Sequence, residues 1–227
     1  PFVGAAHFQP FLSLSIIRAN LHFLTRKPRV YLGTLWTLLR ANWGSVRFFI
    51  GVLGIFPKSV LFAYQMQAEK INHVHAHFAS HPAAAGFIIR RLSGISYSFT
   101  AHGSDLHRDR HMLREKVAEA AFVVAISDYN KEMIISECQG AYRDKVKVIH
   151  CGVDTDVFRF RSGETRHEKE GKPFMILCVG TLHEVKGQSY LIEACSKLSE
   201  NGIDFECHFV GDGPDKATLV ELAVQAG

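Results

Sequence analysis

The stretch FMILCVGTLHEVKGQSYLIEACSKL, residues 174–198, decides the fold. Met175, Ile176, Leu177, Cys178 and Val179 form a continuous apolar run of strand length, the pattern of a parallel strand buried on both faces. Gly180 lets the backbone leave that strand tightly. Leu191, Ala194, Cys195 and Leu198 then recur at i, i+3, i+4 and i+7, which predicts a helix with one apolar face to lay on the sheet. Lys186 and Gly187 fall where this helix presents free N–H groups and the positive end of its dipole, a place for an anion. Ligands of doubly wound sheets gather at the carboxyl ends of strands, so a phosphate is the expected partner of Lys186. A solvated lysine in an ordinary strand-to-helix loop fits the same spacing.

Working outward, the 227 residues suit one large domain or two small ones, and 47% hydrophobic content without low-complexity tracts indicates a globular chain. The chain begins at Pro1 and stops at Gly227 inside a helical pattern, as expected of a piece of a longer protein. No signal peptide pattern is visible. Cys138, Cys151, Cys178, Cys195 and Cys207 show no CxxC spacing and read as reduced residues of a cytosolic chain.

The net charge of +4 hides an asymmetry: residues 1–78 carry eight Lys or Arg and one acid, Glu69. Within them, residues 30–56 are rich in Leu, Phe and Trp, but the longest uncharged stretch, 48–57, falls short of the about 20 apolar residues a bilayer span needs. The expectation is therefore no transmembrane helix. Arg29, Arg40, Arg47 and Lys58 would share one face at about 100° per residue, which suits a helix lying on an anionic membrane. A pair of core helices with charged edges fits as well, and the glycines and Pro57 argue against one continuous helix. The basic stretch is strongly apolar and carries no nucleic-acid motif, so nucleic acid is not an expected partner.

From residue 71 the chain alternates. NHVHAHF, ISYSFTAHG, AFVVAIS and VKVIHCGVD read as strands, separated by the helical segments PAAAGFIIRRLSG, MLREKVAEA and DYNKEMIISEC, the last capped by Ser127. Repeated βα units imply a parallel sheet covered by helices. Residues 160–172, FRSGETRHEKEGK, are charged and non-periodic, the signature of a linker. A second alternation starts at Pro173. The expected division is 1–158, an N-terminal domain; 159–172, a linker; and 173–227, the start of a second domain.

His73, His75 and His77 alternate along one strand, yet i, i+2 and i+4 on a strand do not close round one ion, and no metal site is expected. His77, nearest the strand end, is the one expected at a cleft. In TAHGSD, Thr100 ends a strand and His102, Gly103 and Asp105 occupy the loop at its carboxyl end. An imidazole there can donate to a sugar hydroxyl or stabilise charge, or simply satisfy loop backbone groups. GDGP, residues 211–214, is a turn whose Gly211 and Gly213 give a weak GxG signal for a nucleotide.

HAHFASHPA, SFTAHGSD, AISDYNKEMI, KVIHCGVDTDVF, CVGTLHEVKGQSYLIEA and FVGDGP, in this order, resemble family 4 retaining glycosyltransferases of the GT-B fold, from about residue 73 to 215. The wording of HAHFA and AHGSD is similar to the branch that builds bacterial exopolysaccharides. The resemblance implies two Rossmann-like domains facing a cleft, the first holding the acceptor and the second, incomplete here, a nucleotide sugar. It implies that Lys186 contacts the donor diphosphate and that His102 is the active-site histidine; position at the strand ends and turns adds Gly180, Gly187, Gly211 and Gly213 to the donor site, Asp105 beside His102, and His77 and Gly103 on the cleft. It further implies retention at the anomeric carbon, no cofactor and no required metal. The acceptor implied is lipid-linked or a polysaccharide; the basic, apolar composition of residues 29–58 adds the expectation of peripheral contact with the inner membrane face.

Three departures stand out. Thr181 occupies a position where the family often has an arginine on the diphosphate, a charge-assisted hydrogen bond worth about 1.5–3 kcal/mol. The glycine-rich loop of the first strand is not recognisable, and the paired glutamates of the C-terminal motif are expected beyond Gly227. Two rivals stay open on the sequence: a GT-B epimerase or phosphorylase, and a non-catalytic protein that kept the fold.

Overall fold

The computed structural model describes residues 10, 13–107, 110–159 and 173–227. The chain divides into two compact units, Pro1–Asp154 and Thr155–Gly227. The segment read as a linker, 160–172, lies outside the described residues.

The first unit opens with three helices. Helix α1 (Leu14–Arg26) starts where the Ser13 side chain accepts from the Ile16 N–H, and α2 (Pro28–Ala41) starts on a proline that needs no donor there. A break at residues 42–45, with Gly44 at φ 100°, leads into α3 (Val46–Ala68). The expected interruption therefore falls before Ser45, while Pro57 sits inside α3. Asn20 of α1 braces α3 at that proline: its amide donates to the Pro57 carbonyl at 3.1 Å, and its oxygen accepts from the Tyr31 hydroxyl of α2 at 2.9 Å. Because of the break, Arg29, Arg40, Arg47 and Lys58 do not lie along one helix.

Helix α3 also corrects the reading of membrane length. At 23 residues and a mean hydropathy of 1.7 it is long and apolar enough to cross a bilayer, since one helical segment runs through Arg47 and Lys58. Here Phe48, Val52, Phe56, Val60, Leu61 and Ala63 are buried in the core it shares with α1, α2 and α4 (His81–Ser93). Gly51 permits close approach to α4: a Cβ there would collide with the His81 ring.

The remaining elements are β1 (His73–His77), β2 (Ser96–Ala101), α5 (Gly103–His107), α6 (Leu113–Glu119), β3 (Val123–Ala125), α7 (Asp128–Glu137) and β4 (Val146–Val148). The strands form one parallel sheet in the order β1-β2-β3-β4. Central β2 points Tyr97 and Phe99 into the core, where α4 contributes Phe87, Ile88 and Leu92. Ser127 caps α7 by accepting from the Asn130 N–H.

The second unit pairs β5 (Phe174–Val179) with β6 (Phe205–Val210) in parallel and adds α8 (Gln188–Glu200) and α9 (Lys216–Gln225). Strand β5 is not buried on both faces: Met175, Leu177 and Val179 are 60%, 61% and 69% exposed, beside Glu206, His208 and Val210 of β6. Only Ile176 and Cys178, on the opposite face, are half-buried. The inward stripe of α8 likewise centres on Gln188 and Ile192, leaving Ala194 exposed. The cysteines are free thiols; burial, then a hydrogen bond with Cys195, pushes the Cys207 thiol up to about 11.

Candidate functional site

In the first unit the candidate residues gather at the carboxyl ends of β1 and β2. Strand β2 runs to Ala101, so His102 follows directly, and Gly103 and Asp105 sit in the single turn of α5 instead of the loop expected for them. The half-buried His102 ring stacks on His77 at 5.9 Å between centroids and packs on Phe78 at 4.7 Å. Phe78 was not among the expected site residues. Its φ of 77° places a bulky side chain in the left-handed region, while its N–H donates to the Thr100 carbonyl at 2.9 Å. Such strain costs on the order of 1–3 kcal/mol and is concentrated at functional sites. The available signal was an aromatic residue at the end of a polar strand.

Asp105 turns inward. It is 9% exposed, and one carboxylate oxygen accepts from the Ala79 N–H at 2.5 Å. Lys116, 2% exposed, donates to the Ala79 carbonyl at 2.5 Å and to the His111 carbonyl at 3.0 Å. Both backbone groups of Ala79 are thus held by buried charged side chains, which fixes the residue just after Phe78. Expected beside His102 as a catalytic group, Asp105 is placed instead to position the turn that carries Phe78.

The alternating histidines face an alternating hydroxyl row: His73, His75 and His77 lie opposite Ser96, Ser98 and Thr100. The hydrogen bonds have a derivable direction. Ser96 donates to the Asn72 carbonyl, so its oxygen accepts from His73 Nδ1–H at 2.7 Å. With neutral rings, Ser98 then donates to His73 Nε2 and accepts from His75 Nδ1–H, each at 2.7 Å, and Thr100 donates to His75 Nε2 at 2.9 Å. Phe122 stacks on the rings of His73 and His75. Burial, followed by the charges of His77 and His73, lowers the pKa of His75 from its ordinary 6.5. Among the described residues no group of three or more His, Cys, Asp or Glu is arranged to hold a metal.

In the second unit the candidate site is built from backbone. Lys186 ends a 3₁₀ turn (Glu184–Lys186), and Gly187, at φ 68°, hands the chain to α8. The Lys186 side chain is exposed. Buried Gln188 donates to the Thr181 carbonyl at 2.9 Å, tying the start of α8 to the end of β5. Gly211 and Gly213 bring the two strand ends together: a Cβ at Gly211 would strike the Gly180 carbonyl oxygen, and one at Gly213 the Leu182 carbonyl oxygen. In this close approach Gly180 N–H donates to Val210 and Leu182 N–H to Asp212, both at 3.0 Å. The structure thus assembles Gly180, Gly211 and Gly213 into one feature and sets Lys186 and Gly187 at the helix start.

Parallel α/β units with polar residues at their strand ends define the class, and comparison with solved structures makes it specific. The chain superposes on the apo lipopolysaccharide outer core galactosyltransferase WaaB with a TM-score of 0.59 at 17% identity, over 77% of this chain and 46% of that one. The fold is GT-B, with its second domain only partly covered. The profile of Glycosyltransferase Family 4 matches residues 22–157, and that of Glycosyl transferases group 1 matches residues 162–227. The chain belongs to glycosyltransferase family 4. It is 27% identical over 184 residues to the amylovoran biosynthesis glycosyltransferase AmsK of Erwinia amylovora, covering 76% of this chain and 44% of the relative. It is 28% identical over 164 residues to the 2-deoxystreptamine glucosyltransferase of Streptomyces kanamyceticus, covering 63% and 42%. The chain therefore spans less than half the length of these curated relatives.

Proposed function

We propose that the protein carrying this chain is a retaining glycosyltransferase that moves a sugar from a nucleotide sugar to a lipid-linked or polysaccharide acceptor in cell-envelope or exopolysaccharide synthesis. The observation that carries the reading is the exposed Lys186 at the N-terminal end of α8, beside strand ends whose glycines keep side chains away from the backbone. A diphosphate there meets a cation and helix N–H groups without a required metal. In the transfer, the bond from the anomeric carbon to the phosphate oxygen breaks and its electron pair leaves with the diphosphate. The acceptor hydroxyl oxygen bonds the anomeric carbon on the same face, and its proton goes to the departing phosphate. His102, held by His77 and Phe78, hydrogen-bonds the reacting sugar, and Asp105 acts through the turn it holds.

The reading places the protein at the cytoplasmic membrane face through residues 29–58. Leu32, Trp43, Val46 and Ile50 are exposed, as are Arg29 and Arg47 of the same stretch, and no acid occurs before Glu69. Flotation with anionic vesicles tests this contact; equal recovery with neutral vesicles contradicts it.

Labelled UDP-, GDP- and ADP-sugars offered to the whole protein with a lipid extract and with polysaccharide test the activity. Expected is one labelled, α- or β-retained glycoside, with Lys186→Ala raising the donor KM and His102→Ala lowering kcat. Conversion of the nucleotide sugar without any acceptor identifies an epimerase instead. Nucleotide binding without transfer to any acceptor leaves a non-catalytic protein, in line with Thr181.

A further inference from the structure

The first unit carries a second polar feature, a continuous groove beside α5, α6 and α7. Three cavities compose it. One of about 340 Å³ is lined by Trp36, Arg40 and Glu115, the next, of about 580 Å³, by His107, Arg114 and His111, and the last, of about 370 Å³, by Tyr129, Glu132 and Ser136. Ala41 and Glu115 line both the first and the second, and Arg110 and Glu137 both the second and the third, so the three adjoin.

Charge excludes a phosphate or a nucleic acid as the natural occupant. Arg40, Arg110 and Arg114 are matched by Glu115, Glu132 and Glu137, which leaves no field of one sign to gather an anion. Several of these groups are held in place: Arg110 pairs with Glu137 at 3.2 Å, Arg114 donates to Gln139 at 3.1 Å, and Glu132 accepts two bonds from Arg143 at 2.7 and 2.9 Å. The lining is too polar for a lipid chain or an apolar helix face.

Sugars have the complementary chemistry. Each hydroxyl both donates and accepts, so a guanidinium beside a carboxylate can satisfy two neighbouring hydroxyls together. The C–H face of a pyranose ring packs on an exposed aromatic face. The groove has such a face at each end: Trp36 is 67% exposed, and Tyr129, stacked on His107 at 5.8 Å, is 68% exposed. His107 closes the single turn of α5 that begins beside His102, so the groove leads off from the candidate acceptor site.

We propose that this groove holds an oligosaccharide segment of the acceptor, several sugars long, outside the site where the reacting sugar sits. The proposal rests on the glycosyltransferase reading and narrows its acceptor to a chain that already carries sugars. Binding then depends on the length of the glycan, with Trp36 and Tyr129 as separate stacking platforms.

The test is a calorimetric titration of the whole protein with α-glucan, β-glucan and galactan oligosaccharides of one to eight sugars. At least one series is expected to gain about tenfold in affinity between one sugar and four, and Trp36→Ala and Tyr129→Ala are each expected to lower the longer ligands' affinity about fivefold. Both side chains are exposed, so unchanged melting temperatures accompany these losses. Affinity independent of length in every series overturns the proposal, as does a length dependence that survives both substitutions. So does a Trp36→Ala effect confined to vesicle binding. Titration with UDP, GDP and ADP in parallel keeps the two readings apart: its failure removes the donor site, whereas the length dependence stands or falls separately.

Discussion

The two units build their strand ends from different materials. At the ends of β1 and β2, side chains do the work: His77, Phe78 and His102 stack together, and Asp105 and Lys116 grip Ala79 from either side. At the ends of β5 and β6 the backbone does it, because Gly211 and Gly213 let two turns touch carbonyl to α-carbon and leave one lysine exposed. The first end packs particular side chains against one another. The second keeps side chains away from the backbone at its strand ends. A side-chain site tolerates conservative change, while a backbone site does not tolerate even a methyl group.

That contrast breaks most sharply at Gly213. Gly213→Val drives its Cβ into the Leu182 carbonyl, an atom that no rotamer change can move, and is expected to cost about 3 kcal/mol in a urea melt of the second unit. Wild-type stability would mean the turns are not in contact. Asp105→Ala comes next, at about 1–3 kcal/mol, since it leaves the buried Ala79 N–H unpaired. Asp105→Asn, which keeps an acceptor, should recover part of this. Had Asp105 been a catalytic group in an open site, the alanine variant would lose turnover at full stability. Ser98→Ala interrupts the hydroxyl ladder between His73 and His75 and is expected to cost about 1 kcal/mol.

The smallest effect is a pH dependence. Because the folded pKa of His75 lies below 6.5, the unfolded chain takes up that proton first as pH falls. Stability contributed by the neutral ring is therefore whole above pH 6.5 and declines as pH drops from there towards the folded value. A His75→Gln variant should show a flatter stability profile over this window, and an unaltered profile would show that the ladder does not resist protonation.

Much of this was legible in the sequence, for reasons that differ by region. The β1 to α7 alternation is written in strand-length apolar runs separated by turn residues, and the Ser127 cap stands immediately before its helix. The placement of Lys186 and Gly187 just before α8 was readable because a helix start is a local property of the sequence. The break between α2 and α3 was legible in the glycines, but the length of α3 was not, because the charged Arg47 and Lys58 were taken as its limits and Pro57 as a breaker, whereas Asn20 supports the turn at Pro57 and Gly51 serves contact with His81. Only tertiary neighbours supply those reasons. The inward turn of Asp105 depends on Ala79, 26 residues away, and no periodicity announces it. The hydroxyl ladder was within reach, since SxSxT matches HxHxH in period, but pairing the two strands in register was needed to see it. Strand β5 has apolar residues for two faces, of which the described residues cover one.

The central claim is that the end of β5 and the start of α8 form a diphosphate site on which Lys186 is the cation. Calorimetric titration of the whole protein with UDP, GDP and ADP, without added metal, tests it most directly when run beside Lys186→Ala. The account predicts saturable binding of one nucleotide, weakened about tenfold or more by the substitution, with no change in melting temperature. Equal affinity in the wild type and the variant, or no binding of any of the three, would contradict it.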